Sequence, residues 1–230
     1  MRIFFPDVNV MMYLLIVAVI VLVVMFRYTS HKTFHRNFVP KSVCEKIIET
    51  SKNFKFLKTP EVVDGKPMEE ISIYDEGAPV NQELWNLCEK YYSPLASKYG
   101  LRLNYAFLRR YEPGDRDDLI MHFDDVVDAP TTINILLSDP RDFEGGDLYI
   151  FNKNNTKKIL KQHGGDMNIK QREQFIKECS KMPVLNLRQG DAVFYRGCEL
   201  LHGVMPVTSG ERYVLGFFST QTSTKLPSFY

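Results

Sequence analysis

From Leu101 onward the chain follows a two-residue rhythm broken by glycine and proline, and this pattern limits the fold more than any other feature of the sequence. Arg102–Leu108 alternates roughly between polar and apolar side chains, and Glu112-Pro113-Gly114-Asp115 then supplies a turn. Thr131–Leu137 is rich in β-branched residues. Asp147–Phe151 is entered through Gly145-Gly146, and Ala192–Tyr195 and Tyr213–Ser219 complete the set of strands. Upstream the period is helical. Ser42 reads as the N-cap of a helix with Val43, Ile47 and Ile48 on one face. A second helix spans about Asn81–Tyr99, with Leu84, Leu87, Cys88, Tyr91 and Tyr92 as its packing stripe and Pro94 as a point of kinking or restart. Helices followed by many short strands predict a mainly β, α+β domain, with flanking helices on an antiparallel sheet or a two-sheet barrel.

The alternation stops once, between Asn155 and Met182. There Ile169, Phe175 and Ile176 sit among Lys170, Arg172, Glu173, Lys177 and Glu178, and Gly164-Gly165 offers a hinge. This reads as a helical insertion at about 155–182 between two strands. It is either a solvated surface excursion or a lid or substrate-recognition element.

The N-terminus has a different character. Val10–Phe26 carries no charge, and with Asn9 and Val8 the apolar run reaches roughly 19 residues, near the ~20 that span a bilayer as a helix. It has no polar face, and no small-x-small cleavage site follows Met25-Phe26-Arg27-Tyr28, so an uncleaved membrane anchor over 1–28 is expected. Residues 29–40 then form a polar, basic linker, and 41–230 the folded domain. Arg27, Lys32, Arg36 and Lys41 on the carboxyl flank place that domain in the cytosol by the positive-inside rule. The sequon Asn154-Asn155-Thr156 would fit a lumenal domain instead, and the sequence leaves the side of the membrane open.

The 230-residue chain has a net charge of +1, which gives no large basic surface, so no nucleic-acid partner is expected. Cys44, Cys88, Cys179 and Cys198 form no CxxC pair and no zinc-finger spacing, and read as free thiols or at most one or two bridges.

Of the 5 histidines, His31 and His35 lie in the linker and His163 in the insertion, which leaves His122 and His202. In Met121-His122-Phe123-Asp124 the period of two turns His122 and Asp124 to the same side, where both can grip one ion. His202, in Leu200-Leu201-His202-Gly203-Val204, can supply a third ligand. Two histidines and a carboxylate on one face leave coordination positions open, as in the facial triad of non-haem iron(II) oxygenases.

The stretches RRYEPGD, MHFDD, TTINILLSDPRDFEGGDLYIF, GDAVFY and LLHGVMPVTSGERYVLGFF, from about Leu108 to Phe218, resemble the catalytic domain of the prolyl 4-hydroxylase and lysyl hydroxylase superfamily of 2-oxoglutarate oxygenases. The resemblance implies a double-stranded β-helix, or jelly-roll, with His122, Asp124 and His202 as Fe(II) ligands. It also implies Arg212, ten residues after His202, as the partner of the distal carboxylate of 2-oxoglutarate, a geometry that a guanidinium fork suits. Tyr111 matches a tyrosine lining the cosubstrate pocket. Some relatives carry a further tyrosine where this chain has Leu136, and Thr132 or Asn134 is expected to substitute for it. The implied reaction couples decarboxylation of 2-oxoglutarate to succinate with dioxygen-dependent hydroxylation of a prolyl or lysyl residue in a protein or peptide, with L-ascorbate as helper.

Other readings share the ligands. Nucleic-acid demethylases on the same iron core usually add a second arginine six residues after the first, where this chain has Phe218. A zinc hydrolase could use the same residues but would leave Arg212 without a role. A small-molecule oxygenase and a catalytically silent membrane-tethered binding module complete the alternatives.

Overall fold

The computed structural model describes residues 12, 16–17, 32–60, 63–114, 116–124, 131–165, 167–179 and 181–221. The expected anchor falls outside these residues except for Met12, Ile16 and Val17, which are helical and exposed. Among the described residues no helix is long and apolar enough to cross a membrane.

The strands are β1 (Lys32–His35), β2 (Leu57–Pro60), β3 (Pro67–Asp75), β4 (Ala78–Pro79), β5 (Leu101–Tyr111), β6 (Leu119–His122), β7 (Thr131–Leu136), β8 (Phe143–Gly145), β9 (Leu148–Ile150), β10 (Ala192–Tyr195), β11 (His202–Val204), β12 (Val207–Gly210) and β13 (Arg212–Gln221). The helices are α1 (Lys41–Ser51), α2 (Gln82–Tyr99), α3 (Lys153–Gln162) and α4 (Ile169–Glu178). The large sheet runs β1-β10-β7-β13-β5-β3-β2, with β4 beside β3. Facing it are a three-stranded sheet, β6-β11-β9, and the pair β12-β8. All the paired strands are antiparallel. This is the mainly β, two-sheet core that the alternation requires.

Strand alternation divides the apolar residues between two cores. Ile133, Ile135, Leu215 and Phe217 turn outward from the large sheet onto Cys44 and Ile47 of α1 and Leu84, Trp85, Cys88 and Tyr92 of α2. Leu136, Val193, Tyr195 and Val214 turn inward onto Leu119, Leu148, Ile150 and Val204 of the small sheet. In β5 the parity changes between Leu103 and Ala106, both of which face the helices. A bulge at Asn104 causes this, because Ser219 pairs with Leu103 and Phe218 with Tyr105, which leaves Asn104 unpaired. The Asn104 side chain accepts from the Thr220 N–H at 2.9 Å.

Several expectations are corrected. The supposed linker contains β1, which pairs with β10 along its length. The first helix begins after Pro40, with no side-chain cap, so Ser42 lies inside it. α2 is a single helix through Pro94, opened by the Asn81 side chain accepting from the Leu84 N–H at 3.0 Å and closed by Gly100 at φ 61°. The stretch before Leu101 holds β1–β4 in addition to helices.

The insertion consists of α3 and α4, separated by Gly164-Gly165. It packs on the outer face of the small sheet, where Ile159 and Met167 join Met121, Tyr149, Phe151 and Leu201 in a third core. Thr156 of α3 is buried, and its hydroxyl accepts from the Leu201 N–H at 3.3 Å. All four cysteines are free. Burial pushes the Cys44 and Cys88 thiols up to about 12, so both behave as small core hydrophobes.

Candidate active site

The site lies between the two sheets. β6 and β11 pair so that His122 and His202 are cross-strand partners, and Asp124 follows two residues beyond the end of β6. The ligand atoms of His122, Asp124 and His202 all lie within 4.8 Å of one another. Asp124 Oδ1 stands 3.3 Å from His202 Nε2 and 3.6 Å from His122 Nε2. These separations are close to the ~3 Å that neighbouring ligands keep when each lies about 2.1 Å from a shared ion. All three side chains are at least nine-tenths buried: Asp124 is 7% exposed, His202 4% and His122 7%.

The imidazole tautomers follow from their second partners. His122 Nδ1 lies 2.8 Å from the Ile120 carbonyl, and His202 Nδ1 lies 2.9 Å from the Leu200 carbonyl. A carbonyl only accepts, so Nδ1 carries a proton in both rings, and Nε2 is the nitrogen each ring turns towards Asp124 and can offer to an ion. Burial, assisted by His202, lowers the His122 pKa and favours the neutral, metal-binding form. Burial alone would raise the Asp124 carboxyl, but His202 and His122 outweigh it and hold the group well below the usual carboxylate range.

Arg212 opens β13 opposite Tyr111 of β5, and its guanidinium lies 5.3 Å from the centre of the Tyr111 ring. Its residue exposure is 3%, and Nη1 is buried with no hydrogen-bond partner among the described residues. Burial draws its pKa down, opposed by Tyr111, Asp147 and Tyr195. Gly146 makes the approach possible. At φ 66° it leaves the space where a Cβ would come within 2.7 Å of Arg212 Cδ.

One cavity is lined by His122, Asp124, His202, Arg212, Tyr111, Thr132 and Asn134, so the structure brings together every residue singled out in the sequence. Their contacts refine the expectation. The Thr132 hydroxyl donates to Asp124 Oδ2 at 2.5 Å, and the Asn134 amide donates to the Tyr195 hydroxyl at 2.9 Å. Leu136 belongs to the apolar core beside Tyr111 and Val214.

Tyr195 and Gly197 escaped the sequence reading. Tyr195 lies on β10 opposite Thr132, and its ring meets that of His202 edge-on at 4.9 Å. Burial, with Asp124 and Tyr111 nearby, pushes its phenol well above the ordinary value, so it stays protonated. Inward-facing alternation with Val193 was the available signal. Gly197 accepts the Asp124 N–H at 3.2 Å through its carbonyl, and nothing in the local sequence announces it.

Buried nitrogen and carboxylate ligands of this kind, beside a guanidinium nitrogen with no hydrogen-bond partner among the described residues, fit an iron(II) ion and a dicarboxylate. Residues 106–220, half of the chain, match the profile of the 2OG-Fe(II) oxygenase superfamily, and the chain belongs to that superfamily. The 2-oxoglutarate and iron-dependent oxygenase domain-containing protein 2 of Xenopus tropicalis is 29% identical over 188 residues. That match covers 77% of this chain and 46% of the relative, so the chain spans about half the relative's length. A Trichoplax adhaerens prolyl hydroxylase, solved in complex with a hypoxia inducible factor oxygen degradation domain peptide, superposes with a TM-score of 0.58 at 13% identity, over 84% of this chain and 85% of that one. HygX from Streptomyces hygroscopicus, with nickel, 2-oxoglutarate and hygromycin B bound, gives a TM-score of 0.55 at 15% identity, over 86% of each chain. At these identities the solved structures establish the shared fold.

Proposed function

We propose that this protein is a Fe(II)- and 2-oxoglutarate-dependent dioxygenase that hydroxylates a prolyl or lysyl residue of a protein or peptide. His122, Asp124 and His202 hold the ion, and Arg212 holds the distal carboxylate of the cosubstrate. The observation that carries this reading is the buried, unpartnered Nη1 of Arg212 in the same cavity as the two histidines and the aspartate. A zinc hydrolase gives that nitrogen no task, and a buried charged donor left without an acceptor is costly.

Bound iron, with 2-oxoglutarate and dioxygen, supplies the oxidising chemistry, and succinate is the coproduct. The protein's own residues bind, orient and exclude water. The Nδ1 hydrogen bonds fix both imidazoles, Arg212 over Tyr111 sets how deep the cosubstrate sits, and Asn134 steers the Tyr195 hydroxyl within the cavity. The side chains of Leu119, Leu148, Val204 and Val214 keep the walls dry. L-ascorbate is proposed as the reductant that keeps the iron ferrous.

Phe107 and Phe218 line the same cavity with ring centres 5.2 Å apart, and this aromatic wall suits an apolar ring such as a prolyl side chain. The apolar run at residues 8–26 is proposed as a membrane anchor. The positive-inside rule favours a cytosolic domain, whereas the sequon at Asn154 would fit a lumenal one.

The test of the substrate class uses the full-length chain in detergent with Fe(II), 2-oxoglutarate and air. Proline- and lysine-containing peptides are offered, and mass spectrometry reads the gain of one oxygen. Hydroxylation of a proline peptide is expected. Oxygenation of small molecules alone would overturn the peptidyl reading while leaving the oxygenase intact.

A further inference from the structure

The two oxygens of Asp124 occupy different surroundings. Oδ1 faces the Nε2 atoms of His202 and His122, at 3.3 Å and 3.6 Å. Oδ2 points the other way and accepts the Thr132 hydroxyl at 2.5 Å. Thr132 is 1% exposed and stands in the middle of the large sheet, between Tyr195 of β10 and Phe218 of β13. Its position is therefore set by two strand pairings and not by Asp124.

Gly197 closes the other side. Its carbonyl accepts the Asp124 N–H at 3.2 Å. A Cβ built on it would lie 1.6 Å from Asp124 Oδ2, 2.6 Å from Asp124 Cγ and 2.6 Å from Thr132 Oγ1. Here space alone demands glycine, because any side chain would displace the carboxylate or the hydroxyl that holds it.

We propose that Thr132 and Gly197 are positioning residues for Asp124, which fix its carboxylate so that Oδ1 alone is presented to the metal. The inference rests on reading His122, Asp124 and His202 as the iron site. A carboxylate free to turn could offer both oxygens and fill a position that cosubstrate or dioxygen needs. The Thr132 hydroxyl holds Oδ2 while the Gly197 carbonyl holds the Asp124 backbone N–H, so the side chain keeps the orientation in which Oδ1 faces the histidines. The hydrogen bond also sets the carboxylate before the ion arrives, so binding need not order it. Outer partners of this kind typically change metal affinity 10–100-fold when removed.

The experiment measures Co(II) affinity by equilibrium dialysis, without cosubstrate, on the full-length wild type and on Thr132→Val, Thr132→Ser, Gly197→Ala and His202→Ala. Circular dichroism and Tm establish that each variant is folded. Valine keeps the shape of threonine and removes the hydroxyl, whereas serine keeps the hydroxyl. The expected result is a dissociation constant raised about 10–100-fold in Thr132→Val and at least as much in Gly197→Ala, with Thr132→Ser within about threefold of wild type. Should Gly197→Ala fail to fold, the valine–serine pair still decides. A folded Thr132→Val that binds Co(II) as tightly as wild type overturns the inference, while the metal-site reading stands if His202→Ala has lost the ion. A wild type that binds no Co(II) overturns both.

Discussion

His122 and His202 face one another across the β6–β11 pair, and each donates its Nδ1–H to the carbonyl two residues behind it, Ile120 in one case and Leu200 in the other. The ring pair, with centroids 4.3 Å apart, is thus set by strand geometry and needs no further side chain to orient it. The site should exist before metal arrives, and metal should stabilise the fold by mass action. At free metal about 100 times the dissociation constant, the gain is about 2.7 kcal/mol, or roughly 5–10 °C in Tm for a chain of this size. Differential scanning calorimetry with and without Fe(II) under argon measures it, and His202→Ala should abolish the shift.

Arg212 and Gly146 form a second coupled pair, since the glycine leaves the room through which the arginine stem passes. Arg212→Lys keeps a positive charge but loses the fork, and should weaken 2-oxoglutarate binding about 10–100-fold. Gly146→Ala adds a Cβ where φ is 66° and where Arg212 Cδ and Val207 stand within 3 Å, so it should weaken binding by displacing the arginine. Isothermal titration of the metal-loaded protein without oxygen reads both. Unchanged affinity in Arg212→Lys would remove Arg212 from the cosubstrate site.

Ile159 of α3 is 5% exposed and packs into the core behind the small sheet. Ile159→Ala should cost about 2–4 kcal/mol in chemical denaturation, as a buried truncation does. A loss below about 0.5 kcal/mol would mean that the insertion is a dispensable excursion and not a buttress for the strands carrying the histidines.

Asp191 gives the fold a pH dependence. Its side chain accepts the N–H groups of Asn37 at 3.0 Å and Arg188 at 2.8 Å and pairs with Arg36, tying the segment after β1 to the start of β10. Burial would raise its pKa, but these partners overcome burial and hold it below the ordinary 3.8. A depressed folded-state value contributes stability above the unfolded value and loses it as pH falls through the folded one. Asp191→Asn should therefore destabilise by about 1–3 kcal/mol near neutrality. Urea titrations should show that difference shrinking below about pH 4. A difference that stays constant to low pH would rule out the charged interaction.

The legible parts of the sequence were those governed by local rules. Alternation after Leu101 gave the sheet faces, and the two-residue spacing of His122 and Asp124 gave one edge of the metal site. The unread parts depend on distant partners. β3 carries Glu69 and Glu70, which look like loop residues until Arg110 and Arg109 are found directly opposite on β5, where Arg110 and Arg109 pair with them at 2.9 Å and 2.5 Å. β1 is a short edge strand whose identity is fixed only by β10. Thr132 lines the cavity as expected from its strand face, while the bond from its hydroxyl to Asp124 is a contact across eight residues of chain that no period encodes.

The central claim is tested most directly by succinate formation. The full-length protein is incubated with Fe(II), 2-oxoglutarate and air, beside His202→Ala and Arg212→Ala. The account predicts succinate that requires iron and oxygen, disappears in His202→Ala and falls at least tenfold in Arg212→Ala at limiting cosubstrate. No succinate under any condition, with tight binding of zinc in preference to iron at the same three ligands, would contradict it.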